Sequence, residues 1–189
     1  MPAMAVSASS PLTVHDLEGM PDDGRRYELV DGVLVVTPAP GWSHQEMAFR
    51  LAMGLDAVCP PELRVIVAPF AIRPSLHTEL QPDVLVARYE NLTIKDLPVA
   101  PVLAVEVLSR STALIDRNLK RAALARVGVP LYWLLDPEPA APSITALELG
   151  ENGEYREVAG ATGKQKFEVS RPFPVQLRPA DLLAGLRPS

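Results

Sequence analysis

Two carboxylates stand where the surrounding sequence calls for aliphatic side chains. Asp83 opens the apolar run Pro82 to Ala87 (PDVLVA), and Glu106 interrupts Val102 to Leu108 (VLAVEVL). A carboxylate carried into an apolar strand costs several kcal/mol of desolvation unless it is paired, protonated or bound to a metal. Two together aggravate the cost, because unit charges ~4 Å apart repel by about 4 kcal/mol at an effective dielectric of ~20. If the two runs are neighbouring strands with both acids on one face, a divalent cation is the natural relief. Hard oxygen ligands suit Mg2+ or Mn2+.

The helical pattern after Glu106 adds a third group. Projected at roughly 100° per residue, Leu119, Ala123, Leu124 and Val127 form an apolar stripe, with Arg117, Asn118 and Arg121 on the opposite side. Asp116 and Lys120 project into or beside the stripe. Their i, i+4 spacing with the acid first is the favourable order for a helical ion pair. Two readings follow. Lys120 snorkels along the apolar face to Asp116, or, set beside two carboxylates, its ammonium partners a bound phosphate. Arg117 and Arg121, with Arg110 nearby, are candidates for backbone phosphate contacts or else form a solvated helix face.

These groups need elements to position them. Residues 1–12 read as a flexible leader and residues 13–189 as a single domain. Thr13 followed by Asp16 suggests a short capped turn ending near Gly19. Arg26 to Val30 and Val33 to Thr37 flank Asp31-Gly32, a pair suited to a type I′ hairpin. Plain strand alternation puts Glu28, in the first of these strands, on a solvated face. Ser43 and Glu46 have the spacing of a capping box ahead of a helix over Ser43 to Val58, with Met47, Leu51 and Leu55 on one side. His44 lies in its first turn, where a lone histidine is more often a surface or supporting residue than a ligand.

Farther on, Leu63 to Ile72 reads as a strand, Pro74 to Leu80 as a polar loop, and Pro82 to Ala87 as the next strand. Arg88 to Pro101 reads as a surface linker before the strand Val102 to Leu108. Ser109 to Thr112 offers N-caps for a helix from about Ala113 to Val127, stopped by Gly128. Leu131 to Leu135 is continuously apolar, as in a strand buried on both faces. Ser143 to Leu149, Tyr155 to Val158 and Phe167 to Val169 read as short strands, with a turn at Asn152-Gly153 and a last amphipathic turn over Pro179 to Leu186. The order predicts a mixed α/β plan, not a run of βαβ repeats.

Composition narrows the function classes. The 189 residues are 48% hydrophobic and 22% charged, as in ordinary globular proteins. The single cysteine, Cys59, excludes an intrachain disulfide and a multi-cysteine metal site, and points to a reducing, cytoplasmic location. No apolar run reaches the roughly 18 residues of a membrane span, and MPAMAVSASS lacks the features of a signal peptide. A formal net charge of −5 counts against nonspecific coating of nucleic acid, though not against a local basic face.

The segments YELVDG, PDVLVA, VEVLS and ST-x-x-x-DRNLKRAALA-x-x-GVPLYWLLDP, in this order between Tyr27 and Pro137, resemble the Uma-two family of bacterial restriction-endonuclease-like proteins. Pro82-Asp83 followed by Glu106-Val107-Leu108 resembles the PD-(D/E)XK nuclease pattern. The resemblance implies an αβββαβ restriction-endonuclease-like core with an N-terminal β-hairpin and a β-rich C-terminal extension. It implies that Asp83 and Glu106 bind the metal, with the Val107 carbonyl as a further oxygen ligand. The general pattern has a lysine two positions after the acid, where this chain has Leu108. The resemblance places the lysine on the following helix, as Lys120. Glu28, His44, Gln81 and Asp116 are the polar positions expected to line the cleft.

The expected activity is Mg2+- or Mn2+-dependent hydrolysis of phosphodiesters in nucleic acid, with DNA the expected substrate and a homodimer the default assembly. Two other readings stay open: a nuclease-fold protein that binds nucleic acid or a protein partner without cutting, and a structural dimerising module in which Asp83, Glu106 and Lys120 form a buried ion network.

Overall fold

A six-stranded sheet, built from the most apolar runs of the chain, carries everything else. The computed structural model describes residues 10–109 and 115–185, with backbone alone for 115–117. In chain order the elements are α1 (Val14–Leu17), β1 (Arg26–Val30), β2 (Val33–Thr37), α2 (Trp42–Asp56), β3 (Leu63–Val67), β4 (Ala71–Ser75), β5 (Thr78–Leu80), β6 (Val84–Arg88), β7 (Asp96–Leu97) and β8 (Leu103–Val107). There follow a wide π-type turn (Ile115–Lys120), α3 (Arg121–Val127), β9 (Leu131–Asp136), β10 (Ser143–Leu149), β11 (Tyr155–Thr162), β12 (Phe167–Val169) and β13 (Val175–Leu177), then a 3₁₀ turn (Pro179–Leu183).

The main sheet runs β11-β10-β9-β8-β6-β3, with β8 and β9 parallel and its other pairs antiparallel. A second sheet runs β2-β1-β5-β4-β7. Taken along the main sheet, α2, β3, β6, β8, α3 and β9 give the expected αβββαβ order in a mixed α/β fold. Alternation along the strands sorts its two faces. Val84, Val86, Leu103, Val105 and Val107 pack with Met47, Leu51 and Leu55 of α2. Leu85, Ala87 and Ala104 pack with Ala123 and Leu124 of α3 and with Val30, Ile72 and Leu80 of the second sheet. By the same parity Asp83 and Glu106 belong to this second face.

Local chemistry accounts for most boundaries. Thr13 and Asp16 form the expected capping box. The β1–β2 hairpin turns on Asp31 (φ 51°) and Gly32 (φ 79°), both left-handed as type I′ requires. Leu12, at the end of the expected leader, donates to the Gly32 carbonyl at 2.9 Å. Gly128 (φ 85°) closes α3.

Five expectations need correction. The helix α2 starts at Trp42 with Gly41 as its cap, and Glu46 bonds Arg50 one turn on (2.7 Å) instead of closing a capping box with Ser43. The strand expected over Leu63 to Ile72 breaks at Ala68-Pro69 into β3 and β4, which lie in different sheets. Proline cannot donate to a ladder. The loop expected over Pro74 to Leu80 is largely strand, β5 pairing with both β4 and β1. Leu119, expected in the apolar stripe, is 37% exposed, because the π-type turn alters the angular spacing ahead of α3. In the C-terminal third, β11 extends to Thr162 and an additional strand, β13, pairs with β12. The capping residues expected over Arg110 to Thr112 lie outside the described residues.

Candidate active site

The antiparallel register of β6 and β8 pairs Val84 with Val105. Continued by one residue it sets Asp83 opposite Glu106, and cross-strand partners share a face. Both are buried, Asp83 at 4% exposure and Glu106 at 3%. They line one cleft of about 120 Å³ with Arg26, His44, Val107 and Lys120. Its walls come from the ends of the β1–β2 hairpin, the N-terminal turn of α2, the ends of β6 and β8, and the π-type turn.

Asp83 is held on three sides. Arg26 Nη1 lies 3.0 Å from its Oδ1, while His44 Nε2 (3.1 Å) and the Val107 N–H (2.8 Å) meet its Oδ2. Burial alone pushes this carboxyl up. The hydrogen bond and charge of His44, the Arg26 guanidinium and the Val107 N–H outweigh it and hold Asp83 at about 2, against an ordinary 3.8. His44 Nδ1 is buried with no hydrogen-bond partner among the described residues.

Lys120, 3% exposed, bridges the other two acids: its Nζ lies 3.0 Å from Glu106 Oε1 and 2.9 Å from Glu28 Oε2. The contact to Glu28 is an ion pair without hydrogen-bonding geometry. Glu28 is wholly buried, which corrects its solvated-strand assignment. Its other oxygen accepts the Gln81 N–H at 2.7 Å. Alternation identified which strand residues share a face but not what covers that face, and here the cover is Lys120.

Of the other expected residues, Gln81 acts through its backbone: its carbonyl accepts from Arg26 (3.0 Å), while its side chain turns to Glu79 (3.1 Å). Val107 is engaged through its N–H. Arg121 is not in this cleft and donates to the Tyr155 carbonyl at 2.5 Å. Arg110 and the side chains of Asp116 and Arg117 lie outside the described residues. Arg26 was missed by sequence reasoning. Its signal was present: Arg26 and Glu28 are two charges at i, i+2 on one strand, which alternation places on one face.

The donor chemistry suits a hard cation. Asp83 and Glu106 supply carboxylate oxygens to one cleft. Mg2+ commonly takes one or two carboxylates and completes its shell with water and substrate oxygens. Among the described residues the cluster holds three carboxylates against two permanent cations, Arg26 and Lys120, with His44 beside them. An added positive charge therefore has a physical reason to bind.

The crystal structure of "a putative nuclease belonging to DUF820" from Anabaena variabilis superposes with a TM-score of 0.70 at 16% identity, over 91% of this chain and 97% of that one. At that identity the likeness is one of fold. No curated protein matches the chain. Among the described residues no helix is long and apolar enough to cross a membrane. The model of the family described as "Uma2: Putative restriction endonuclease" matches residues 14–184, and the chain belongs to that family.

Proposed function

We propose that the protein is a nuclease that hydrolyses phosphodiester bonds in nucleic acid, DNA being the expected substrate, with the aid of Mg2+ or Mn2+. The observation that carries this reading is the convergence of Asp83, Glu106 and Lys120, from two strands and the turn before α3, on one cleft. Asp83 and Glu106 would hold the cation, with the Val107 carbonyl as a further oxygen. When bound, it supplies a Lewis acid that acidifies water and polarises a phosphoryl oxygen.

The chain's own residues do the rest. Arg26, His44 and the Val107 N–H fix Asp83 in its ionised form. Glu28, anchored by the Gln81 N–H, sets the place of the Lys120 ammonium. From there Lys120 neutralises negative charge developing on the phosphate or orients the attacking water. The reading places the protein in the cytoplasm and, for cuts in two strands, as a homodimer.

One observation favours binding without cutting: Arg26 and His44 already engage the two oxygens of Asp83, so a cation bound there must displace or share with them. Two measurements separate the readings. Titration calorimetry with Mn2+ is expected to show binding that Asp83→Asn removes, and no binding, or binding unchanged in the variant, defeats the metal site. Plasmid and single-stranded DNA incubated with Mg2+ or Mn2+ are expected to be cut by the wild type and not by Glu106→Ala. Equal nicking by both would assign the cleavage to a contaminant.

A further inference from the structure

Beside the Asp83–Arg26 pair lies a second pocket, of about 170 Å³, lined also by Gln45, Ala48, Phe49, Val67 and Pro69. Arg26 and Asp83 belong to both cavities, so this pocket and the candidate active site share a wall. Its helical side is the outer face of α2. Met47, Leu51 and Leu55 of that helix are fully buried, whereas Phe49 on the other side is 57% exposed, as is Trp42 seven residues before it. Gln45 and Phe49 are i, i+4 neighbours on this outer face. Among the described residues the Gln45 side-chain amide has no hydrogen-bond partner.

We propose that this pocket takes an unpaired nucleobase, belonging to the nucleotide next to the scissile phosphate. The inference rests on the nuclease reading of the neighbouring cleft and specifies its substrate: single-stranded nucleic acid, or a duplex from which one base is turned out. Phe49 offers an aromatic face for stacking, and the Gln45 amide offers a donor and an acceptor for a base edge. Both stand against the wall that holds the reacting phosphate on its other side.

Electrostatics favours the same occupant. The chain carries a net charge of −5, and the cations of the cleft are engaged, Arg26 by Asp83 and Lys120 by Glu106 and Glu28. Beyond the scissile phosphate, which Lys120 can meet, the cleft therefore offers little of the phosphate neutralisation that dominates binding to duplex backbones. Stacking does not depend on net charge and tolerates any base. A base still paired inside a duplex cannot reach such a pocket without leaving its stack.

The test measures affinity by fluorescence anisotropy with a labelled single strand, the matching duplex, and a single strand abasic at one position, followed by cleavage of each with Mn2+. Phe49 is exposed, so Phe49→Ala is expected to fold. The wild type should prefer the single strand. Phe49→Ala should weaken that binding roughly 5- to 100-fold, the range for loss of one base–aromatic stack, and Phe49→Trp should restore it. Removing the base beside the cut should cause the same loss, with no further loss in combination with Phe49→Ala.

Unchanged affinity and cleavage in Phe49→Ala overturn the proposal, as does equal weakening at every abasic position. A change in sedimentation of the nucleic-acid-free variant also overturns it, by showing that this face is a protein interface. If Phe49-dependent binding is found but neither wild type nor Glu106→Gln cuts, the pocket stands and the nuclease reading falls.

Discussion

Glu28 and Glu79 sit on adjacent strands, β1 and β5, at 0% and 3% exposure, yet the molecule treats the two buried carboxylates differently. Glu79 has donors of its own: Arg73 Nε at 2.5 Å on one oxygen and Gln81 Nε2 at 3.1 Å on the other. Arg73 is 25% exposed and reaches on to Glu18 and Asp96 at the rim. Glu28 has one backbone hydrogen bond and shares the ammonium of Lys120 with Glu106. The first arrangement is what a structural ion pair requires: both oxygens of the buried carboxylate accept hydrogen bonds, and its cation, which also reaches two rim acids, touches water. The second divides a cation between two acids inside a cleft. A lysine shared in this way can be reassigned to an arriving phosphate, and the difference between the two glutamates separates a site from a strut.

Removing the cation should separate the two glutamates most visibly. Lys120→Met leaves Glu28 and Glu106 buried without their ammonium. It should cost about 3–5 kcal/mol in urea unfolding, part of it recovered by adding Glu28→Gln. Arg73→Met leaves Glu79 its Gln81 amide and removes a partner that was itself 25% exposed, so it should cost less, about 1–3 kcal/mol. Equal losses would mean that the two carboxylates are embedded alike.

Acid unfolding tests the third carboxylate. Asp83 is held at about 2 in the folded protein against 3.8 ordinarily, so its contribution is complete above about pH 4 and lost as the pH falls through about 2. At 1.36 kcal/mol per pKa unit this amounts to roughly 2 kcal/mol. Asp83→Asn should flatten the stability profile between these limits. Wild-type and variant profiles of the same slope there would contradict the role given to Arg26 and His44.

A smaller effect is expected at the hairpin that brings Arg26 and Glu28 to the cleft. Gly32→Ala puts a side chain at φ 79° with its Cβ 2.5 Å from Pro11 Cβ, whereas Gly153→Ala, at φ 76°, meets open space. Both should lose about 1–2 kcal/mol from the left-handed conformation. Gly32→Ala should lose more than that, and it alone should also lower nucleic-acid cleavage under conditions where both variants are folded.

Much of this arrangement could be read in the sequence because it rests on local signals. Asp31-Gly32 sets the hairpin, Gly128 ends α3, and the apolar runs containing Asp83 and Glu106 form β6 and β8 or their immediate flanks. The second sheet could not be read so well. Its strands β4 and β5 contain Arg73, Pro74, Ser75, Thr78 and Glu79, with no apolar alternation, and they form because β1 supplies a partner from far along the chain. Arg26, and the burial of Glu28, escaped for a related reason. Their strand was recognised, but burial of its polar face depends on Lys120 and Asp83, which arrive from elsewhere in the fold. The Ser43–Glu46 spacing misled because Arg50 competes for Glu46 from within the same helix.

The most direct test of the distinction between site and strut compares Glu106→Gln with Glu79→Gln in a single assay, the Mn2+-dependent cleavage rate of single-stranded DNA at a temperature where both variants are folded. Glu106→Gln should lower the rate roughly 10²- to 10³-fold, the scale for losing one group that stabilises developing charge, and Glu79→Gln should leave it within a few-fold of wild type. Equal rates in wild type and Glu106→Gln, or equal losses in both variants, would contradict the assignment of Asp83, Glu106 and Lys120 as the working centre of the molecule.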